Sequence, residues 1–214
     1  MAHAALGEPR RLLIVDELIR GDRTVSELAE TVTMRSNLLA HHLDVLEEAG
    51  LIERRVSEGD HRRRYVTLRR SALPGLPGRR GGEYPLVAFV CTHNSARSQF
   101  AAALWEDRSG RSAQSAGTHP SPNVHPGAIN VAAEFGIDLS ECRPKGYDRL
   151  SPDLDLIVSV CDRARESEIP IVAERIHWSV PDPVFEGTAS AFRRAFAEIT
   201  ERIDHMVAVV GTEA

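Results

Sequence analysis

The chain has 214 residues, of which 42% are hydrophobic and 27% charged, values typical of a globular protein with one large domain or two small ones. No apolar run is long enough to cross a bilayer and residues 1–10 contain no apolar h-region, so we expect no membrane partner and no signal peptide. The cysteines, Cys91, Cys142 and Cys161, are odd in number, which argues against a disulfide framework. We expect a cytoplasmic protein with reduced thiols, at least one of which is available for chemistry.

The net charge of −5 is distributed unevenly along the chain. Residues 1–80 carry 14 Arg against 12 Asp and Glu, whereas residues 81–214 carry 12 Lys and Arg against 19 Asp and Glu. Between them, residues 71–85 contain three prolines and four glycines, a composition that disfavours both helix and strand. We therefore predict two domains, residues 1–70 and 86–214, joined by a linker over residues 71–85.

The first domain is predicted to contain three helices followed by a hairpin. Thr24 and Glu27 form a capping-box pattern at the second helix, and Gly50 is a stop signal after the third. The periodicity of apolar residues places the helices over residues 11–19, 24–31 and 35–49, and two short strands over residues 51–56 and 64–68. This order of elements is that of a winged helix-turn-helix.

The segment from Asn37 to Leu51 resembles the recognition helix and wing entry of the ArsR-type (arsenic repressor) transcriptional regulators, and the resemblance covers roughly residues 10–70. It implies a homodimer that binds a palindromic promoter site. The resemblance places Arg35, Ser36, Asn37 and His41 towards the major groove, and Arg62, Arg63 and Arg64 beside phosphates on the wing. Short polar side chains can reach base edges, and guanidinium groups suit phosphate. The alternative is a protein-interaction module with solvated arginines.

Two features argue against a metal site in this domain. His41 and His42 are adjacent, so on a helix they point about 100° apart and cannot chelate one ion, and we expect one surface and one packing histidine. Many ArsR-type repressors bind arsenite through clustered cysteines before the recognition helix, but residues 24–30 contain no thiol. We predict no metal ligands and no such inducer site.

The second domain opens with a predicted buried strand over residues 86–90, the segment Cys91-Thr-His-Asn-Ser-Ala-Arg97-Ser98, and a helix to about Arg108. A loop of this length can turn successive backbone N–H groups towards an anion at a helix N-terminus, which also stabilises a thiolate at Cys91. Arg97 can hold two oxygens of a tetrahedral oxyanion, and Ser98 can donate to the sulfur. The predicted nucleophile is Cys91, and the predicted oxyanion-binding residues are Thr92, His93, Asn94, Ser95, Ala96 and Arg97.

The Asp182-Pro183 pair lies far downstream, after the apolar residues around Trp178. Taken alone it indicates an ordinary turn. Together with the Cys91 loop, it favours Asp182 as a general acid opposite the nucleophile. The alternative for the loop itself is a structural buried cysteine beside a surface arginine.

These motifs, with Ser115-Ala-Gly-Thr118, Gly136-Ile-Asp-Leu-Ser140 and the predicted strand over residues 154–162, resemble the low-molecular-weight protein tyrosine phosphatase superfamily, which includes thiol-dependent arsenate reductases. The resemblance covers about residues 85–212. It implies an α/β fold: a doubly wound, four-stranded parallel sheet with the anion at the carboxyl end of its first strand and a closing helix over residues 193–210.

Two activities share the first step, attack of the Cys91 thiolate on an oxyanion, arsenate or phosphate. Only Phe185 is aromatic just after Asp182-Pro183, where tyrosine phosphatases usually hold the substrate ring, and Ala96 excludes a disulfide within the loop. Cys161 ends a strand where thioredoxin-coupled arsenate reductases keep a redox cysteine, although residues 167–170 contain no further thiol.

With the ArsR-like module on the same chain, we favour arsenate reductase, with tyrosine phosphatase or a mainly regulatory oxyanion or redox sensor as alternatives. We expect no bound cofactor, and an external reductant: thioredoxin, a mycoredoxin-like protein or a small thiol. The role of Cys142 stays open.

Overall fold

A computed structural model describes residues 2–73 and 84–210. The chain divides into two compact units, residues 1–79 and 80–214. Most of the predicted linker, residues 74–83, lies outside the described residues. Over the described ranges, no helix is both long enough and apolar enough to span a membrane.

The first unit contains four helices and a three-stranded antiparallel sheet. The helices are α1 Ala2–Leu6, α2 Pro9–Arg20, α3 Val25–Thr31 and α4 Ser36–Glu48. The strands are β1 Arg23–Thr24, β2 Ile52–Val56 and β3 Arg64–Leu68, in the spatial order β1-β3-β2. The predicted winged helix-turn-helix is therefore present. Helix α1 and strand β1 were not expected, because five and two residues are too few to show a periodicity.

Local signals in the sequence set the helix ends of this unit. The backbone N–H of Glu27 donates to Thr24 Oγ1 at 3.2 Å, and the backbone N–H of Thr24 donates to Glu27 Oε2 at 2.7 Å, which completes the capping box. After α4, Gly50 adopts a φ of +73°, a left-handed conformation that ends the helix with little strain. Helix α4 packs on the core through its buried residues Leu39, His42, Leu43 and Leu46.

The second unit is built on a four-stranded sheet whose neighbouring strands are all parallel. The strands are β4 Val87–Cys91, β5 Ala113–Gly117, β6 Leu156–Ser159 and β7 Glu174–His177, in the order β5-β4-β6-β7. The helices are α5 Arg97–Ser109, α6 Pro126–Glu134, α7 Asp162–Glu166, α8 Pro183–Glu186 and α9 Ala189–Val210. The α/β fold expected from the resemblance is confirmed.

The central position of β4 explains both its sequence and its role. All five of its residues are buried, as in parallel sheets covered on both faces. Helix α5 packs against β4 and β5, and α7 packs against β4 and β6. In the register of the sheet, Cys91 pairs with Gly117, and Val90 pairs with Ser159. The carboxyl ends of these strands therefore place Cys91 and the residues after Ser159 at one edge.

Candidate functional site

The loop from Cys91 to Arg97 connects the end of β4 to the start of α5 and surrounds the Cys91 sulfur with donors. The backbone N–H of Asn94 donates to Cys91 Sγ at 3.1 Å, and Ser98 Oγ lies 3.0 Å from the same sulfur. Asn94 Nδ2 donates to Ser98 Oγ at 2.8 Å. Because this amide occupies an acceptor position of the hydroxyl, the Ser98 proton is available to Cys91.

The carbonyl groups of this loop point outwards. The carbonyls of Thr92, His93 and Ser95 accept from backbone N–H groups of residues 119, 121 and 125 at 2.8 to 2.9 Å. With its carbonyls turned away, the loop leaves its N–H groups for the concave side, which is the arrangement of an anion nest. Ala96, which is buried, is the last residue before α5, so the nest meets the N-terminus of a 13-residue helix.

Asn94 and Gly117 fix the shape of the loop. Asn94 has a φ of +49°, as expected for this residue, and its Oδ1 accepts from the Lys145 backbone N–H at 2.9 Å. A Cβ atom on Gly117 would approach the Thr92 carbonyl oxygen to 2.6 Å, so a glycine is needed where β5 passes the loop. The sequence motif Ser115–Thr118 includes Gly117, but its contact with the loop and the support from Lys145 were not predicted, because they come from distant parts of the chain.

Arg97 and Asp182 meet at the loop. Arg97, only 4% exposed, donates through Nη1 to the Val180 carbonyl oxygen at 2.8 Å, and its Nη2 lies 3.0 Å from Asp182 Oδ2. Asp182 also caps α8, since its Oδ1 accepts from the Val184 backbone N–H at 3.1 Å. The two side chains predicted to grip the oxyanion and to act as acid are thus brought together. Phe185 is 95% exposed beside them.

Cys161 lies close to the same loop. It follows β6, caps α7 by accepting from the Ala164 backbone N–H at 3.4 Å, and its sulfur lies 3.4 Å from Thr92 Oγ1. Burial raises the pKa of the Cys161 thiol to about 11, although the Arg97 guanidinium acts in the opposite direction. A second sulfur, fully buried and protonated near neutral pH, therefore contacts the residue next to Cys91.

Cys142 belongs to different surroundings. It is half-buried and lines a pocket of about 190 Å³ with residues that include Gln99, Glu106 and Lys145. Burial raises the pKa of the Cys142 thiol, and Asp138 and Glu106 raise it further. Nothing in this pocket singles Cys142 out as a partner of Cys91.

Tyr147 was not identified from the sequence. Its hydroxyl group is buried and has no hydrogen-bond partner within the described part of the chain. Burial raises the Tyr147 pKa, and the electrostatic influence of Cys161 and of Cys91 adds to this effect. The neighbouring residue Gly146 forms a parallel bridge with Gly117, the register partner of Cys91.

In the first unit, the residues expected to read DNA bases are on the surface. Arg35, Ser36, Asn37 and His41 are all exposed at the N-terminal half of α4. His42 is 5% exposed, lies 3.7 Å from Glu8 Oε2, and has its pKa lowered, chiefly by burial. One histidine on the surface and one in the packing is what the sequence predicted.

The wing arginines are also exposed. Arg62, Arg63 and Arg64 line a groove of about 460 Å³ together with residues 24–27 at the start of α3. Arg62 is held by Asp60, with Nε to Oδ1 at 2.9 Å. Arg54 links the wing to α4, since its Nη2 donates to Asp44 Oδ1 at 2.8 Å and its Nε to Glu47 Oε2 at 2.9 Å. Throughout residues 2–73 and 84–210, no cluster of three or more His, Cys, Asp or Glu side chains could hold a metal ion.

Comparison with known families assigns a family to each part of the chain. Residues 86–214 match the family described as low molecular weight phosphotyrosine protein phosphatase, and residues 8–54 match the family described as bacterial regulatory protein, arsR family. The chain therefore belongs to the low molecular weight phosphotyrosine protein phosphatase family and carries an arsR-type segment before that domain. Both resemblances predicted from the sequence are confirmed.

Individual relatives narrow the class. An arsenate reductase of Halalkalibacterium halodurans is 36% identical over 128 residues, which make up 55% of this chain and 91% of that protein. A glutaredoxin arsenate reductase of Synechocystis is 29% identical over 58% of this chain and 97% of its own length. The crystal structure of an arsenate reductase from Archaeoglobus fulgidus matches with 32% identity and a TM-score of 0.52, over 56% of this chain and 98% of that one. This chain thus contains nearly the whole length of each relative, together with an additional regulatory segment.

Proposed function

We propose that the protein is a thiol-dependent arsenate reductase joined to an ArsR-type transcriptional regulator, with Cys91 as nucleophile. The observation that carries this proposal is the position of Cys161. A phosphatase needs one reactive sulfur. A reductase also needs a second sulfur, which attacks the first and thereby breaks the bond between the first sulfur and arsenic. A buried thiol that contacts Thr92, next to the nucleophile, suits the second requirement. The arsenate reductases among its relatives support the same choice.

The first chemical step uses the Cys91 loop. The loop N–H groups and Arg97 hold the arsenate oxygens, and the Cys91 thiolate attacks arsenic. Asp182, which lies 3.0 Å from Arg97, donates a proton to the oxygen that leaves as water. Ser98 and the Asn94 N–H stabilise the sulfur whenever it carries negative charge. The product is a covalent bond between the Cys91 sulfur and pentavalent arsenic.

The second step reduces arsenic. A thiolate attacks Cys91 Sγ, the sulfur–arsenic bond breaks, and its electron pair leaves with arsenic, which becomes trivalent as arsenite. We propose Cys161 as the attacking group, which gives a Cys91–Cys161 disulfide. Because residues 167–170 contain no further thiol, an external partner reduces this disulfide directly. Thioredoxin, a mycoredoxin-like protein and a small thiol are the candidate classes, and the name of the Synechocystis relative includes glutaredoxin.

Hydrolysis of an aryl phosphate is the second candidate activity. The same loop holds phosphate, and Asp182 is placed to protonate a phenolate leaving group. The observation that favours it is Phe185, whose ring is 95% exposed immediately beyond Asp182-Pro183 and offers an apolar surface to an aromatic substrate. The third candidate is a regulator that senses oxyanions or redox state. Such a sensor would use the same loop but would not catalyse turnover.

For the first unit we propose sequence-specific DNA binding as a homodimer on a palindromic promoter site. Helix α4 presents Arg35, Ser36, Asn37 and His41 to base edges, and the wing presents Arg62, Arg63 and Arg64 to phosphates. The proposed chemistry uses free thiols and no bound cofactor, so we also propose a reducing compartment, the cytosol, as its location.

The decisive experiment compares arsenate-dependent thiol consumption with aryl-phosphate hydrolysis by the purified chain, with several thiol donors. We expect arsenate reduction in the wild type and its loss in Cys91→Ser, because a serine hydroxyl has no comparable anionic population. Arg97→Ala should lower the rate about 100- to 1,000-fold, as for loss of an oxyanion-hole donor. Cys142→Ser is the matched control and should keep full activity.

Full arsenate reductase activity in Cys91→Ser would refute the enzymatic assignment. Aryl-phosphate hydrolysis without arsenate turnover would favour the phosphatase, and neither activity would favour the sensor. Peptide mapping after a single arsenate turnover without added thiol tests the internal route, since it should recover a linked Cys91–Cys161 peptide. Free thiols only, together with full turnover in Cys161→Ser, would assign the second step to an external thiol.

A further inference from the structure

A buried histidine contacts the chain on both sides of Cys161. His177 ends β7 and is 1% exposed. Its Nε2 lies 3.1 Å from Asp162 Oδ1, and its Nδ1 lies 3.0 Å from Ser159 Oγ. Ser159 is two residues before Cys161 and Asp162 is the residue after it, so the two nitrogens of one ring reach both sides of the thiol-bearing turn.

The His177 ring contacts oxygen atoms on both sides of the turn. A carboxylate only accepts, so Nε2 donates to Asp162, while Nδ1 lies 3.0 Å from the Ser159 hydroxyl oxygen and 3.1 Å from the Ser159 carbonyl oxygen. The Ser159 hydroxyl also donates to the Ile176 carbonyl oxygen at 3.3 Å. Ser159 and Asp162 are 3% exposed, and no group in this set supplies the chemistry described above. Buried polar networks fix a single arrangement of the chain when every member is paired.

The position of the turn decides where the second sulfur lies. The sheet register fixes Ser159 beside Val90, and the Val160 backbone N–H donates to the Val90 carbonyl at 2.8 Å. Beyond Val160, the strand has ended, and the segment is held by the α7 cap and by the His177–Asp162 contact. An error of about 1 Å in the placement of a reacting group can lower a rate 100-fold.

We propose that His177 is a positioning residue for Cys161, which holds the sulfur beside Thr92 for attack on Cys91. This inference rests on the proposed function, and it names the side chain that makes the internal route efficient. In the step concerned, Cys161 loses its proton to solvent and its sulfur bonds to Cys91 Sγ. The sulfur–arsenic bond breaks, and arsenic leaves with two electrons as arsenite. In this proposal His177 acts through the turn and takes no part in the bonds that form and break.

The test measures the rate of Cys91–Cys161 disulfide formation in the full-length chain, by mass spectrometry of quenched samples. One arm uses a single turnover of arsenate, and the other uses diamide, which oxidises two thiols without arsenic and is itself reduced to a hydrazine. His177→Phe keeps a ring but loses both hydrogen bonds, and should form the disulfide at least tenfold more slowly in both arms. His177→Gln keeps one donor near the position of Nε2 and should recover part of the rate.

A second readout separates positioning from damage to the loop. Inorganic phosphate bound in the loop should protect Cys91 from iodoacetamide, and its protection constant should stay within twofold of the wild-type value in both His177 variants. His42→Phe is the matched control, because it replaces a buried histidine of the other unit. Circular dichroism verifies that each variant is folded.

Each outcome decides the matter. Equal disulfide rates in His177→Phe and the wild type would overturn the inference, as would a parallel loss of phosphate protection, which would make His177 a support of the loop. Absence of a Cys91–Cys161 disulfide in the wild type in both arms would also overturn it. A wild-type disulfide with diamide but not with arsenate would refute the proposed reductase, while the diamide rates would still test His177.

Discussion

Replacement of Ser98 by alanine is the most direct test of how the loop activates its sulfur. Ser98 is fully buried, and its Oγ lies 3.0 Å from Cys91 Sγ. Since Asn94 Nδ2 donates to this oxygen at 2.8 Å, the hydroxyl proton is directed at the sulfur. A hydrogen bond to a charged group contributes about 1.5 to 3 kcal/mol. Its loss should therefore shift the equilibrium between thiolate and thiol at Cys91 towards the thiol by roughly 10- to 150-fold.

The assay is the rate of iodoacetamide alkylation at Cys91, followed by mass spectrometry of the intact and digested chain. Only the thiolate reacts, so Ser98→Ala should react more slowly than the wild type, by at most the factor given above. The rates are compared over a range of pH, because the loss is largest where the thiol form is populated. The sign is fixed, because removing a donor to the charged form destabilises that form.

Ser109→Ala serves as a matched control, since Ser109 is at the other end of α5 and its hydroxyl donates to the Trp105 carbonyl at 2.6 Å. It should leave the alkylation of Cys91 unchanged. If Ser98→Ala alkylates within twofold of the wild-type rate at every pH compared, the hydrogen bond does not stabilise the thiolate. The activation would then come from the helix N-terminus and the Asn94 N–H alone.

Three further predictions concern other parts of the molecule. Replacing the three wing arginines, residues 62–64, by alanine should weaken DNA binding to all sequences and reduce the slope of log K against log salt by up to about 3; an unchanged slope in titrations by gel shift would remove the wing from the interface. Thr24→Ala should lower the stability of the first unit by about 1 kcal/mol in urea denaturation, and no change would mean that the capping box contributes nothing. Because the pKa of Cys161 is raised to about 11, its thiolate population rises with pH, and single-turnover formation of the Cys91–Cys161 disulfide should accelerate about tenfold per pH unit from 7 to 9. A flat profile would contradict attack by Cys161.

The structure and candidate site residues that could be predicted from the sequence lie in short contiguous motifs. The run from Cys91 to Ser98 contains the proposed nucleophile, the proposed oxyanion ligand and the helix start within eight residues, so strand, loop and helix could be predicted together. Asp182 could be predicted as a general acid only together with the Cys91 loop, because Asp-Pro alone is common in turns. The structure places Asp182 against Arg97, at 3.0 Å, which a separation of 85 residues in the chain could not show.

Supports from distant residues could not be predicted. The outward pairing of the loop carbonyls with residues 119–125 involves backbone groups, which leave no pattern in side chains. Tyr147 and His177 both have charged or polar neighbours in the sequence, so nothing in the local pattern singles them out. Their burial and their contacts depend on which strands become neighbours, and no single segment of the sequence shows the order β5-β4-β6-β7.

Cys161 shows why position and reactivity have to be considered together. Burial favours the thiol over the thiolate, so at neutral pH Cys161 is a poor nucleophile despite lying next to the loop. The same burial excludes competing thiols and oxidants from its sulfur, which is 1% exposed. Once arsenic is bound to Cys91, a rare thiolate held in place can still compete with an external thiol, because the internal reaction needs no second encounter. On the proposed mechanism, the contacts that hold Cys161, with Thr92 and within the turn that His177 contacts, are what decide between the internal and the external route.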